Sequence, residues 1–212
     1  MRAAIMAGAL LVGACQGGDT GAAANEAVAA GTEAAAGPAA PEATPAAPAK
    51  AAEAVLTSEG FGPLRIGMTR AEVVAALGED SDPEAVGGPE PEVCDQFRPA
   101  RAPEGLLVMV EEGRVSRISL IEGSALKTER GLGIGAAASD VRAAYGAALI
   151  AEPHKYAEAP AEYLTIWAGG AKPAAYVEDP AARGLRYVVE TGGKVATIHA
   201  GGPSIQYVEG CL

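Results

Sequence analysis

The stretch LRIGMTRAEVVAALG, Leu64 to Gly78, returns 68 residues later as LGIGAAASDVRAAYG, Leu132 to Gly146, with seven of the fifteen positions identical. The shared residues are Leu, Ile, Gly, Val, Ala, Ala and Gly, which build turns and buried faces and carry no reactive group. In the first stretch Thr69 is followed three residues on by Glu72, the pattern of a capping box at a helix start. Val73, Ala76 and Leu77 then fall on one face, and Gly78 suits a left-handed stop. A helix of about two turns is marginal in water, so it must borrow stability by packing. In the second stretch Val141, Ala144 and Tyr145 take the same face and Gly146 the same stop. Ala137 stands where the capping Thr stood, which moves the expected helix start a turn later, to Ser139 or Asp140.

The likeness continues beyond the helix. VEEGRVSRI, 110–118, returns as VETGGKVATI, 189–198, with one inserted Gly. Each reads as two apolar strands around a Gly turn, the pattern of a hairpin. Extended runs precede both hairpins, VCDQF at 93–97 and YLTIWA at 163–168. The lead-in LTSEGFGPLR is too rich in Gly and Pro for a helix, and the second copy is lengthened by GGAKPAAYVEDPAARG, 169–184. The expected fold class is α+β, as two tandem repeats at 55–124 and 125–212. Each would be a short helix packed on an antiparallel sheet of about three to four strands, the units sharing a sheet or stacking their sheets.

RIGMTRAEVVAALG resembles the GMT-x-x-EV-x-x-LG element of small bacterial envelope lipoproteins of the SmpA/BamE kind. It is also similar to the repeated units of the beta-lactamase inhibitory protein-like superfamily. The residues that carry the resemblance are Gly67, Met68, Thr69, Glu72, Val73, Leu77 and Gly78. It implies helices packed on an antiparallel sheet, and a protein that binds other proteins rather than catalysing a reaction.

The chain starts MRAAIMAGALLVGACQGG. As a helix, Ala3 to Cys15 would rise only about 20 Å, too short for a hydrocarbon core of about 30 Å. That length suits the apolar region of a secretory signal. LVGAC resembles the lipobox of bacterial lipoproteins, which implies a signal peptide at 1–14 and an acylated Cys15 as the mature N-terminus. Several acyl chains, at about 0.8 kcal/mol per buried methylene, anchor a soluble body firmly. A plain cleaved signal and an unprocessed cytosolic start are the alternatives. Gln16 offers no Asp-type retention signal, which points to an outer-membrane lipoprotein facing the periplasm. After Cys15, residues through 54 are almost entirely Ala, Gly, Pro, Glu and Thr, with prolines at 38, 41, 45 and 48. Such a segment buries too little to offset the entropy of ordering, so 15–54 reads as a disordered linker. Its r.m.s. span would be roughly 35 Å as a coil.

In an exported protein the two remaining cysteines, Cys94 and Cys211, are expected to pair. The loop they close exceeds 100 residues, worth about 4 to 5 kcal/mol by the chain-entropy argument. Free thiols are one alternative. A metal site with His154 and His199 is another, but none of the four sits at a C-x-x-C or H-x-x-x-H spacing, so neither a metal nor a cofactor is expected. The chain carries a net charge of −11, and from residue 55 onward 14 Lys and Arg face 22 Asp and Glu without a basic stripe. That excludes nucleic acid and charge-driven lipid binding.

Few residues invite a chemical role. GLGIG, 131–135, precedes a helix, but the first copy reads PLRIG there, so the glycines serve the turn rather than a phosphate. No G-x-S-x-G or H-E-x-x-H pattern occurs. His199, in the final strand of the second hairpin where the first copy has Ser119, reads as a half-exposed strand residue. Asp95 with Arg98 and Arg117 suggests an ion pair across strands. The candidate binding patch is His154, Tyr156, Tyr163 and Trp167, with Glu152 and Glu162 nearby; the other reading makes Tyr163 and Trp167 a second core. The functional expectation is a lipid-anchored interaction module without catalysis, presenting a sheet face to another envelope protein or ligand. The alternative is an envelope hydrolase or glycan-binding protein using the His154–Trp167 region.

Overall fold

A computed structural model describes residues 54–85, 87–173 and 176–211. The expected signal peptide, Cys15 and the linker through residue 53 lie outside these residues. The described chain is α+β, with two helices and two antiparallel sheets. No helix among the described residues is long and apolar enough to cross a membrane.

The Gly-rich lead-in folds as a three-stranded meander of two-residue strands, β1 (Leu56–Thr57), β2 (Gly60–Phe61) and β3 (Leu64–Arg65). Helix α1 follows (Arg70–Leu77), then β4 (Cys94–Phe97), β5 (Leu106–Glu111) and β6 (Arg114–Leu120). Helix α2 (Ala138–Tyr145) opens the second half, with β7 (Ile150–Pro153), β8 (Glu162–Trp167), β9 (Gly184–Val189) and β10 (Val195–Gly201) after it. The seven longer strands form one sheet in the order β4-β5-β6-β10-β9-β8-β7. The sheet is thus shared: three strands come from the first half, four from the second, and β6 meets β10 at the centre.

The capping box at α1 is present. Thr69 N–H donates to Glu72 Oε2 at 2.7 Å, and Glu72 N–H donates to Thr69 Oγ1 at 3.3 Å. The expected late start of α2 is corrected. It begins at Ala138, in step with α1, because backbone ties to its hairpin set the start even though Ala137 has no side-chain acceptor. Those ties match in the two halves. Gly67 N–H donates to Val115 O (2.7 Å) and Val115 N–H to Met68 O (2.7 Å); Gly135 N–H donates to Val195 O (2.8 Å) and Val195 N–H to Ala136 O (2.9 Å). Gly67 and Gly135 sit at φ +89° and +82° in open space, so backbone conformation alone asks for glycine there.

At the centre, Ile118 pairs with Ala200, Ser119 with His199 and Leu120 with Ile198, a register that a shift of 80 residues carries onto itself. One face of the sheet takes the helices and meander. Val73, Val141, Phe97, Val108, Ile118, Leu164, Tyr187 and Ile198 are among its fully buried residues, in a single core that spans both halves. Alternation sends the intervening residues to the opposite face.

Candidate functional site

The opposite face is neither free nor apolar. Its central row, read across six strands by register, is Leu107, Ser119, His199, Arg186, Thr165, Ile150. One row over lie Met109, Arg117, Gly201, Gly184 and Trp167. On the other side run Thr197, Val188, Tyr163 and Glu152.

Two segments cross this face. After β10 a short 3₁₀ turn, Pro203–Gln206, lies against the sheet, and Gly184 leaves the room that Ile205 occupies: a Cβ on Gly184 would meet Ile205 Cδ1 at 2.9 Å. The tail continues to Cys211, bonded to Cys94 on edge strand β4 with Cα atoms 5.4 Å apart. The expected disulfide is therefore present and spans the covered face. The inserted segment closes the other end, where Gln206 Nε2 donates to Val177 O (2.8 Å) and Val177 N–H donates to Gln206 Oε1 (3.0 Å). The sheet face expected to meet a partner is thus occupied by the protein's own chain, apart from two cavities of about 370 Å³ each.

Arg117 fastens the tail. It is 3% exposed, its Nη1 donates to Ser204 O (3.2 Å) and Tyr207 O (3.3 Å), and its Nη2 donates to Gln96 Oε1 (3.0 Å). Its Nε finds no partner among the described residues, and burial lowers its pKa to about 10. The expected pairing of Asp95 with Arg98 or Arg117 is corrected, because Asp95 points to the helix side and pairs with Arg70, whose guanidinium also lies over Phe97 at 4.3 Å. On the strapped face, Arg117 is left without a carboxylate among the described residues.

Arg186 differs. It is only 6% exposed, yet it makes no hydrogen bond among the described residues. Its guanidinium lies 4.0 Å over the Tyr163 ring, and its nearest carboxylate is Glu152, Nη2 to Oε2 3.7 Å, on a side chain that is 54% exposed. Burial lowers its pKa, with Glu152 acting in the opposite sense. It borders both cavities. Thr165, its register partner, is 3% exposed and its Oγ1 has no partner among the described residues. His199 is half-buried, as expected, and its Nδ1 shares a hydrogen with Ser119 Oγ at 2.8 Å. Burial, then the charges of Arg117 and Arg186, hold its pKa well below the usual value, so it is a neutral imidazole.

The predicted patch is divided. His154, Tyr156 and Tyr163 border one cavity, with the His154 ring stacked on Tyr163 at 4.7 Å and Tyr156 N–H donating to His154 Nδ1 (3.2 Å). Trp167 borders the other cavity, beside Glu152 and Thr165. Glu162 pairs with Arg142 on α2. Tyr163 and Trp167 are both buried, but on the strapped face and outside the main core. Sequence reasoning missed Arg186, Thr165 and Tyr176. The available signal was GLRYVV, an apolar run with one Arg at its middle. No three His, Cys, Asp or Glu among the described residues lie close enough to share a metal ion. Comparison with protein-family models, with curated proteins and with solved structures gave no match.

Proposed function

We propose that this chain is a bacterial cell-envelope lipoprotein whose body is a non-catalytic binding module. On this reading residues 1–14 are a signal peptide, acylated Cys15 holds the protein to the outer membrane on its periplasmic side, and 15–54 is a leash. Residues 55–124 and 125–212 are two tandem repeats related to the SmpA/BamE and beta-lactamase inhibitory protein-like units. The matched helix-to-hairpin bonds and the self-consistent central register support the duplication.

The observation that carries binding is Arg186, a buried guanidinium with unused donors between two cavities. Its pairing with the exposed Glu152 is loose, at 3.7 Å, so an incoming anion would make charge-assisted hydrogen bonds that the fold leaves unmade. The hydrolase alternative has less support. Its candidate base, His154, and its carboxylate, Glu152, border different cavities, and Glu152 already faces Arg186. The ligand is a small molecule or a segment of another envelope protein that reaches into the cavities.

Growth of the host with labelled palmitate tests the anchor. The full chain should take up label and sediment with membranes, and Cys15→Ser should abolish both. Label that persists in the variant, or wild-type chain that stays soluble, overturns the anchor. Mild crosslinking in intact cells should trap an adduct of the anchored chain, and a chain that emerges without one counts against a protein partner.

A further inference from the structure

We propose that the cavity bounded by Arg186, Thr165, Trp167 and Tyr176 binds the carboxylate of a small organic acid with a cyclic or aromatic body. The proposal rests on the binding-module reading and names the ligand class. Its volume of about 370 Å³ lies within the range of small-molecule sites. Two features converge on a carboxylate. A guanidinium presents a planar fork of donors that matches a carboxylate in a bidentate pair, and the Arg186 fork makes no hydrogen bond among the described residues. The carboxylate nearest to it among the described residues, Glu152, stands 3.7 Å away on a largely exposed side chain, close enough to offset the charge of Arg186 and loose enough to swing out.

The charge balance selects among anions. Of the two arginines that border the cavities, Arg186 is the one without a hydrogen bond among the described residues, since Arg117 spends its Nη groups on the tail and Gln96. With Glu152 swung out, a phosphate at about −1.5 to −2 would bring more negative charge than one guanidinium offsets. A carboxylate brings one. The body of the ligand would pack on Trp167, Tyr176 and Pro173, which give the cavity its apolar walls, while the Gln206 amide is already committed to Val177 and Pro203.

Trp167 is the single tryptophan of the chain and borders this cavity and a second one beside Ala168, Val177 and Arg183, so the Arg186→Gln response decides which of the two is filled. The full-length protein is titrated with phenylacetate and glucuronate, and with phenylacetamide and phenyl phosphate as the neutral and phosphate arms. At least one carboxylate should give a saturable change in Trp167 emission, with the amide binding at least about 30-fold more weakly. Arg186→Gln should remove the response. Glu152→Gln, a change at an exposed position, should tighten carboxylate binding and so gives a readout even where Arg186→Gln does not fold. Equal binding of acid and amide, saturation by phenyl phosphate alone, weaker binding in Glu152→Gln, or no saturable response to either acid would each overturn the assignment. None of these results bears on palmitate labelling, so the anchor stands or falls separately.

Discussion

Leu164 and Thr165 are neighbours on β8, and they look out of opposite faces of one sheet into unlike surroundings. Leu164 enters the core that both halves share. Thr165 enters a row of Ser, His, Arg and Thr, over which the chain lays its own tail and its inserted segment. Both faces are buried, yet by different means. The helix side is closed by apolar packing, and the strapped side by the Arg117 clamp, the Gln206–Val177 pair and a disulfide. Burial by apolar contact is continuous and leaves little room, whereas burial by a few fastened straps leaves cavities with polar walls. The difference puts close packing on one face and open room on the other.

The largest test removes a fastening. The disulfide joins residues 117 apart, and the chain-entropy argument gives it about 4 to 5 kcal/mol. The double change Cys94→Ser, Cys211→Ser should lower the unfolding free energy by that order in urea titration. Hydrogen exchange should quicken first at Ile205 and Tyr207, before the β5–β6 hairpin. A loss below about 1 kcal/mol, or exchange that quickens evenly over both faces, would break the distinction between packed and strapped burial.

The second test uses the two neighbours. Leu164→Ala should cost about 2 to 5 kcal/mol, as deletion of fully buried methyl groups does. Thr165→Val should be neutral or stabilising, because its buried hydroxyl makes no hydrogen bond and an apolar group of the same shape removes the desolvation cost. Matching costs at the two positions would mean that the strapped face is packed as tightly as the core.

How much of this was written legibly in the sequence follows the same division. The helix at Arg70, its Thr69–Glu72 box and the hairpins around Gly113 and Gly193 each rest on local chemistry, and each is found; the pairing of Cys94 with Cys211, also found, was expected from export and the cysteine count. The start of α2 was misplaced because a missing cap was read as a missing start, while bonds from Val195 fix it from 50 residues away and more. Asp95 was assigned by nearness in sequence and register to Arg98 and Arg117, but strand alternation turns it to the helix side, where Arg70 waits. Arg186 was passed over because an Arg within an apolar strand reads as an edge or surface residue until something covers it. Tyr176 and Gln206, which border the same cavity, are brought back across the sheet by long-range folding that no local pattern records.

The smallest effect is the most discriminating between the faces, because only the strapped one holds a group that titrates near neutrality in isolation. An unfolded His takes up a proton near pH 6.5. Folded His199 resists it, since burial and the charges of Arg117 and Arg186 hold its pKa well below that value. Below about pH 6.5 the unfolded chain therefore binds more protons than the folded one, and stability falls as pH drops; above it the contribution is flat. The slope reaches at most about 1.4 kcal/mol per pH unit for one group. Glu72 works in the same direction but lower on the scale. Its bonds to Thr69 lower its pKa, so its contribution is present above about pH 4.5 and is lost only as pH falls through the lowered value. Urea midpoints between pH 7 and 5, compared between the wild type and a His199 variant, thus read out His199. In His199→Asn the midpoint should hold steadier through this window than in the wild type. A slope unchanged by the substitution would mean that His199 accepts its proton within the fold, and that the strapped face is open enough to water to let two guanidiniums and an imidazolium share it.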